Sequence, residues 1–265
     1  MSTVNNKIQI PSVEYYVDLG LPSGVVWATR NIDVTQTDGF ATTPYTYDCS
    51  YFSWGNTDGH NLNTGGTFDY EFSESGYSET SGSTIMTDIP LSADAARQNL
   101  GGHWRLPTVE DYEELVANTD CIDASGNVSS VNTVITINGV DGVLYRSKTN
   151  GNTIFFPRVG IGKDYEKSNS FIYWLGTIST GTTYPPTTHA REMPYGDGTT
   201  RGANQVTRRK NGLPIRPVFN FTLFQNQHIN VFDNQIEYLS HKASPGFDGK
   251  NVSFIKSDNI IRYKK

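Results

Sequence analysis

Gly101-Gly102-His103-Trp104-Arg105-Leu106-Pro107-Thr108-Val109-Glu110-Asp111-Tyr112-Glu113-Glu114-Leu115 is the stretch that decides the fold. The two glycines read as a tight turn. Pro107 biases the residues before it toward extended geometry. Thr108 then stands where a helix N-cap belongs, and Asp111, three residues on, is a short form of the acidic partner in a capping box. Tyr112, Leu115 and Val116 follow at the i, i+3, i+4 spacing that gives a helix one apolar face. The spacing predicts a helix over about Val109–Asn118, docked on a core.

Outward from this stretch, β signals dominate. Glu14–Leu19 and Val25–Asn31 read as strands joined by a Leu-Pro-Ser-Gly turn. Ser92 is placed to cap a short helix, Ala93–Leu100, stopped by Gly101. Val131–Asn138, Val143–Ser147, Thr153–Val159, Phe171–Gly176 and Leu213–Val218 are β-branched or aromatic runs, with Asn138-Gly139 and Asn150-Gly151 as turn dipeptides. Residues 55–83 and 177–212 read as long loops rich in Gly, Ser, Thr and Asn. Beyond residue 220, Ile229–Leu239 and Val252–Ile255 look strand-forming.

The 101–115 stretch does not stand alone. Tyr16-Val17-Asp18-Leu19-Gly20-Leu21-Pro22-Ser23-Gly24-Val25-Val26-Trp27-Ala28 precedes it, with Tyr51-Phe52-Ser53-Trp54-Gly55. Ile154-Phe155-Phe156-Pro157, Tyr173-Trp174-Leu175-Gly176-Thr177 and Gly212-Leu213-Pro214-Ile215-Arg216-Pro217-Val218 follow. In this order, residues 15 to 219 resemble the Fibrobacter succinogenes major-domain family, common in Bacteroidetes and their phages. That family belongs to the C-type-lectin-like superfamily, which also holds the formylglycine-generating enzymes. The resemblance implies an α+β, C-type-lectin-like domain with two short helices and twisted antiparallel sheets. The expected layout is an N-terminal arm (1–14), the domain (15–220) and a C-terminal β-rich extension for assembly or anchoring (221–265).

Composition narrows the function classes. The 265 residues carry a net charge of −6, which disfavours a nucleic-acid partner. Modest hydrophobic content (36 %) is offset by 15 Tyr, 13 Phe and 4 Trp as bulky core material, so the chain does not read as disordered. The charge is uneven: −8 over residues 1–220 against +2 over 221–265. Residues 1–14 lack the basic and apolar regions of a signal peptide, and no run approaches a transmembrane length. The expectation is cytoplasmic synthesis with no membrane insertion. Because members of the resembled family are often exported, the resemblance then implies a virion protein released by lysis, with a bacterial surface or secreted binding module of the same family as the alternative. Other virion proteins are expected to meet residues 221–265, and a homo-oligomer is expected.

The chemistry-bearing residues point away from catalysis. Trp27, Trp54, Trp104 and Trp174 all fall in the quoted motifs and read as core. Arg105 and Arg216, inside apolar strings, read as structural ion pairs. The calcium-lectin triplets implied by the superfamily, Glu-Pro-Asn or Gln-Pro-Asp with Trp-Asn-Asp, are missing, and Glu192-Met193-Pro194 is no equivalent. Asp69, Glu71 and Glu74 form an acidic loop that reads as solvated rather than cation-binding. Cys49 and Cys121 lie too early for the thiol pair of the formylglycine oxidases, and nothing in the sequence demands that they bridge. The five histidines make no ligand spacing, so neither cofactor nor metal is expected. There remains the stretch 178–211, with Tyr184, His189, Arg191, Tyr195, Arg201, Asn204, Arg208 and Arg209. Tyr, Arg and Asn are residue types that binding surfaces favour. These eight are the candidate ligand-binding residues, and the resemblance implies a host-surface glycan or protein as their partner.

Overall fold

The computed structural model describes residues 12–63, 89–160, 170–196, 198 and 205–220. The chain divides into one unit ending at Thr222 and a second over 223–265, and every described residue belongs to the first. The expected strands Ile229–Leu239 and Val252–Ile255 and the acidic loop of Asp69, Glu71 and Glu74 lie outside the described residues.

The architecture is α+β, with two helices among antiparallel sheets. Four strands, β1 (Tyr16–Val17), β2 (Val25–Ala28), β4 (Trp104–Arg105) and β14 (Val218–Asn220), form a sheet in the order β1-β2-β14-β4. β3 (Tyr51–Phe52) pairs with β13 (Leu213–Pro214). β5 (Thr119–Ile122), β6 (Val128–Ser129), β7 (Ile135–Ile137), β8 (Val140–Ser147) and β9 (Thr153–Pro157) make the largest sheet, centred on β8. β10 (Ser170–Ile178), β11 (His189–Gly196) and β12 (Gln205–Arg208) make a three-stranded sheet.

The helix α2 (Val109–Asn118) forms as its sequence dictates. Thr108 Oγ1 accepts from the Asp111 amide at 3.3 Å, and Asp111 accepts from the Thr108 amide at 2.7 Å. Tyr112 and Leu115 are fully buried. Arg105 grips the same Asp111 carboxylate with both terminal nitrogens, which is the expected half-buried ion pair. Gly101 and Gly102 turn with φ of 69° and 58°, a region open to glycine at little cost.

Helix α1 (Ala95–Leu100) begins later than its sequence suggests. Asp94, not Ser92, is the N-cap, because its carboxylate reaches the Ala96 and Arg97 amides and also the Leu106 amide at 3.0 Å. One buried carboxylate thus starts α1 and ties it to the strand that leads into α2.

The four tryptophans are buried. Trp54 Nε1 donates to the Leu175 carbonyl at 2.8 Å, and Trp174 Nε1 donates to the Phe52 carbonyl at 2.6 Å. This exchange locks β3 to β10. Trp104 sits between the rings of Phe40 and Phe219. Arg216 is seated among segments far apart in the chain. It is fully buried and donates to Asn31 Oδ1 at 2.7 Å and to the carbonyls of Ala28, Thr29 and Phe155, while its guanidinium lies over the Phe156 ring. Amide and carbonyl oxygens and a π face surround its guanidinium. The run Leu213–Val218 is divided between two strands, β13 and β14, with Ile215, Arg216 and Pro217 between them.

Candidate functional site

The stretch 177–212, which reads as loop, contains two strands. β11 pairs with β10 on one side and with β12 on the other. Pro194 and the absence of long apolar alternation disguise β11. Pro194 falls past Glu192, the last residue paired with β12, so no ladder bond is needed of it there.

Facing residues of an antiparallel pair point to the same side, and side chains alternate along each strand. His189 faces Arg208 and Arg191 faces Val206, so His189, Arg191 and Arg208 share one face. The connection 179–188 brings Tyr184 to this face, its ring 5.1 Å from that of His189. Tyr184 is 50 % exposed and Arg208 is exposed. Ser179 Oγ donates to the Tyr184 carbonyl at 2.6 Å, and the His189 amide closes a turn onto the Pro185 carbonyl at 2.9 Å. The result is an aromatic and cationic surface on a hydrogen-bonded ribbon. It is suited to carboxylate, sulfate or carbonyl oxygens and to flat apolar faces.

Arg209 is not on that surface. It is 2 % exposed, stacks over Trp54 at 4.8 Å, and donates to the carbonyls of Pro186 and Thr187 at 3.2 and 3.4 Å. Its backbone joins the same clamp, accepting from the Trp54 amide and donating to the Thr188 carbonyl. Arg209 therefore positions the connection that carries Tyr184. The backbone of Tyr195 lies in β11 opposite Phe171. Arg201 and Asn204 lie outside the described residues.

The other face of β11 holds an unusual group. Glu192 is 4 % exposed, among core neighbours such as Trp174 and Ala190, and its Oε2 has no hydrogen-bond donor among the described residues. Burial pushes its pKa up to about 8.

A polar cleft of about 250 Å³ lies elsewhere, lined by Asp33, Thr42, Tyr47, Asp48 and Asn61, among others. The sequence reading missed it, because its residues are scattered through turns with no shared spacing. Asx turns were the available signal: Asp33 Oδ1 accepts from both the amide and the hydroxyl of Thr35, at 3.0 and 2.7 Å. Asn61 Nδ2 donates to the same oxygen at 2.9 Å.

Both cysteines are buried thiols rather than halves of a disulfide, and burial pushes the Cys49 thiol up to about 12. Among the described residues no three His, Cys, Asp or Glu side chains are grouped to hold a metal. Nor is any helix among them long and apolar enough to cross a membrane. Comparison of the chain with protein-family models, with curated proteins and with solved structures finds no significant match in any of the three.

Proposed function

We propose that this chain is a non-enzymatic phage virion protein, such as a head fibre, capsid decoration or tail adhesin. Its C-type-lectin-like domain presents the β11–β12 face to a host-surface glycan or protein. The observation that carries this reading is the gathering of Tyr184, His189, Arg191 and Arg208 on one exposed, hydrogen-bonded face. Arg209 and Trp54 hold that face from behind. Such a rigid aromatic and cationic display loses little entropy on binding. The two thiols favour display over oxidase chemistry, since both are buried and Cys49 is kept protonated. The family resemblance and the oppositely charged residues 221–265 favour attachment to a particle or to further copies of the chain.

The test is adhesion of the labelled full chain to Bacteroidetes cells, beside a Tyr184→Ala/Arg208→Ala double variant. Both side chains project outward, so the variant is expected to keep the wild-type melting temperature and lose most of its cell binding. Undiminished binding by a folded double variant would overturn the assignment of the site. Absence of the chain from the protein content of purified particles would overturn the virion assignment.

A further inference from the structure

The geometry points to a second binding site, in the cleft of Asp33, Tyr47, Asp48 and Asn61, that takes a single saccharide ring bearing hydroxyl or amino groups and no acidic group. The site shares no residue with the β11–β12 face and does not depend on that face's assignment.

Asp33 carries the inference. It is 2 % exposed and lines the cleft. Its Oδ1 is saturated by three donors, the Thr35 amide, the Thr35 hydroxyl and Asn61 Nδ2. Its Oδ2 receives no hydrogen bond from any described residue. A carboxylate whose other oxygen is pinned is a fixed acceptor. Ser50 Oγ donates to Asn61 Oδ1 and accepts from the Val34 amide, so the amide that orients Asp33 is itself held in place. Pinned acceptors of this kind are what a small polar ligand needs, because little ordering remains to be done on binding.

The other walls define the ligand. Asp48 adds a second carboxylate, on an exposed residue at the cleft. Tyr47 Oη accepts from the Asp141 amide at 2.7 Å, which leaves its own proton to donate. Thr42 offers a hydroxyl, and Leu62 and the protonated Cys49 add less polar wall. Among the described residues no Lys, Arg or His lines the cleft, so two carboxylates would repel phosphate, uronic acid or sialic acid. Adjacent hydroxyls, or a hydroxyl beside an ammonium, match fixed acceptors flanked by donor-acceptor hydroxyls. At about 250 Å³ the cleft is below the roughly 300 Å³ at which drug-sized pockets begin. It therefore holds one ring rather than a chain. A bare divalent cation is the poorer occupant, since calcium takes six to eight oxygen ligands and, among the described residues, only two carboxylates line the cleft.

The experiment is saturation-transfer NMR and thermal shift on the full chain with glucose, galactose, mannose, glucosamine and glucuronate, and separately with calcium alone. Binding of at least one neutral or amino sugar near millimolar affinity is expected, with glucuronate inert. Asp48→Asn, on an exposed side chain, should weaken that binding about tenfold or more. Thr42→Trp should abolish it by filling the space, with the melting temperature of both variants unchanged. The Tyr184→Ala/Arg208→Ala variant should bind the sugar normally, so failure of one site is distinguishable from failure of the other. The inference is overturned if no sugar of the panel binds, if binding survives both Asp48→Asn and Thr42→Trp, or if calcium alone gives the whole response.

Discussion

Glu192 shows how much one residue's surroundings decide. Its carboxyl is buried on the inner face of β11, and burial alone raises its pKa from an ordinary 4.5 to about 8. The folded chain therefore keeps a proton that the unfolded chain has lost between those values. Its stabilising contribution is fully present below pH 4.5 and drains away as pH rises toward 8. Glu192→Gln keeps the shape without the charge. It is expected to raise the melting temperature at pH 8, worth about 3–5 kcal/mol as an upper figure, and to change little at pH 4.5. Melts across pH 4.5–9 check this; parallel curves for wild type and variant would refute it. Trp104 makes the complementary case. It is 5 % exposed and caught between Phe40 and Phe219, so Trp104→Ala should cost about 3–5 kcal/mol in denaturant unfolding.

At the scale of the element, the same chemistry acts through neighbours. Thr108→Ala removes one capping bond from α2 and should cost about 1 kcal/mol. Asp111→Ala should cost distinctly more, because that carboxylate caps the helix and also holds Arg105. Equal losses in a urea titration would mean that the Arg105 pair contributes nothing. In the ribbon, Arg209 joins Trp54 to the carbonyls of Pro186 and Thr187. Arg209→Lys keeps the charge but loses the flat stack and the fork of donors. Hydrogen exchange at Thr188 and His189 should then quicken, and cell binding should fall with it. Unchanged exchange would show that the connection holds its shape without the clamp.

For the whole molecule, the uneven charge sets the expectation. Residues 221–265 carry +2 against −8 for the remainder, and they alternate apolar and polar residues at Ile229-Asn230-Val231-Phe232 and Val252-Ser253-Phe254-Ile255. Sequences of this pattern can add as a strand to the edge of another chain's sheet. Truncation after Asn220 is expected to lower the oligomeric mass in light scattering and to abolish incorporation into particles. A truncated protein of unchanged assembly and incorporation would remove the assembly role.

What the sequence determined by itself is local in origin. The α2 capping box, the Gly101-Gly102 turn and the burial of four tryptophans follow from groups within a few residues of one another, or from large apolar surfaces that have nowhere else to go. The helix start at Asp94 lay within reach of sequence reasoning, yet Ser92 is as good a cap, and the Leu106 amide that breaks the tie is 12 residues away. The strands β11 and β12, the buried setting of Arg216 and the buried place of Arg209 were decided by tertiary structure alone. Each depends on partners far along the chain: Trp174 for Glu192, Asn31 for Arg216, Trp54 for Arg209. The cleft is the extreme case. Asp33 and Asn61 are 28 residues apart yet bond each other directly, with Ser50 holding the Asn61 amide, so the Asx turn at Asp33 marked a local bend but not the partners that complete the site.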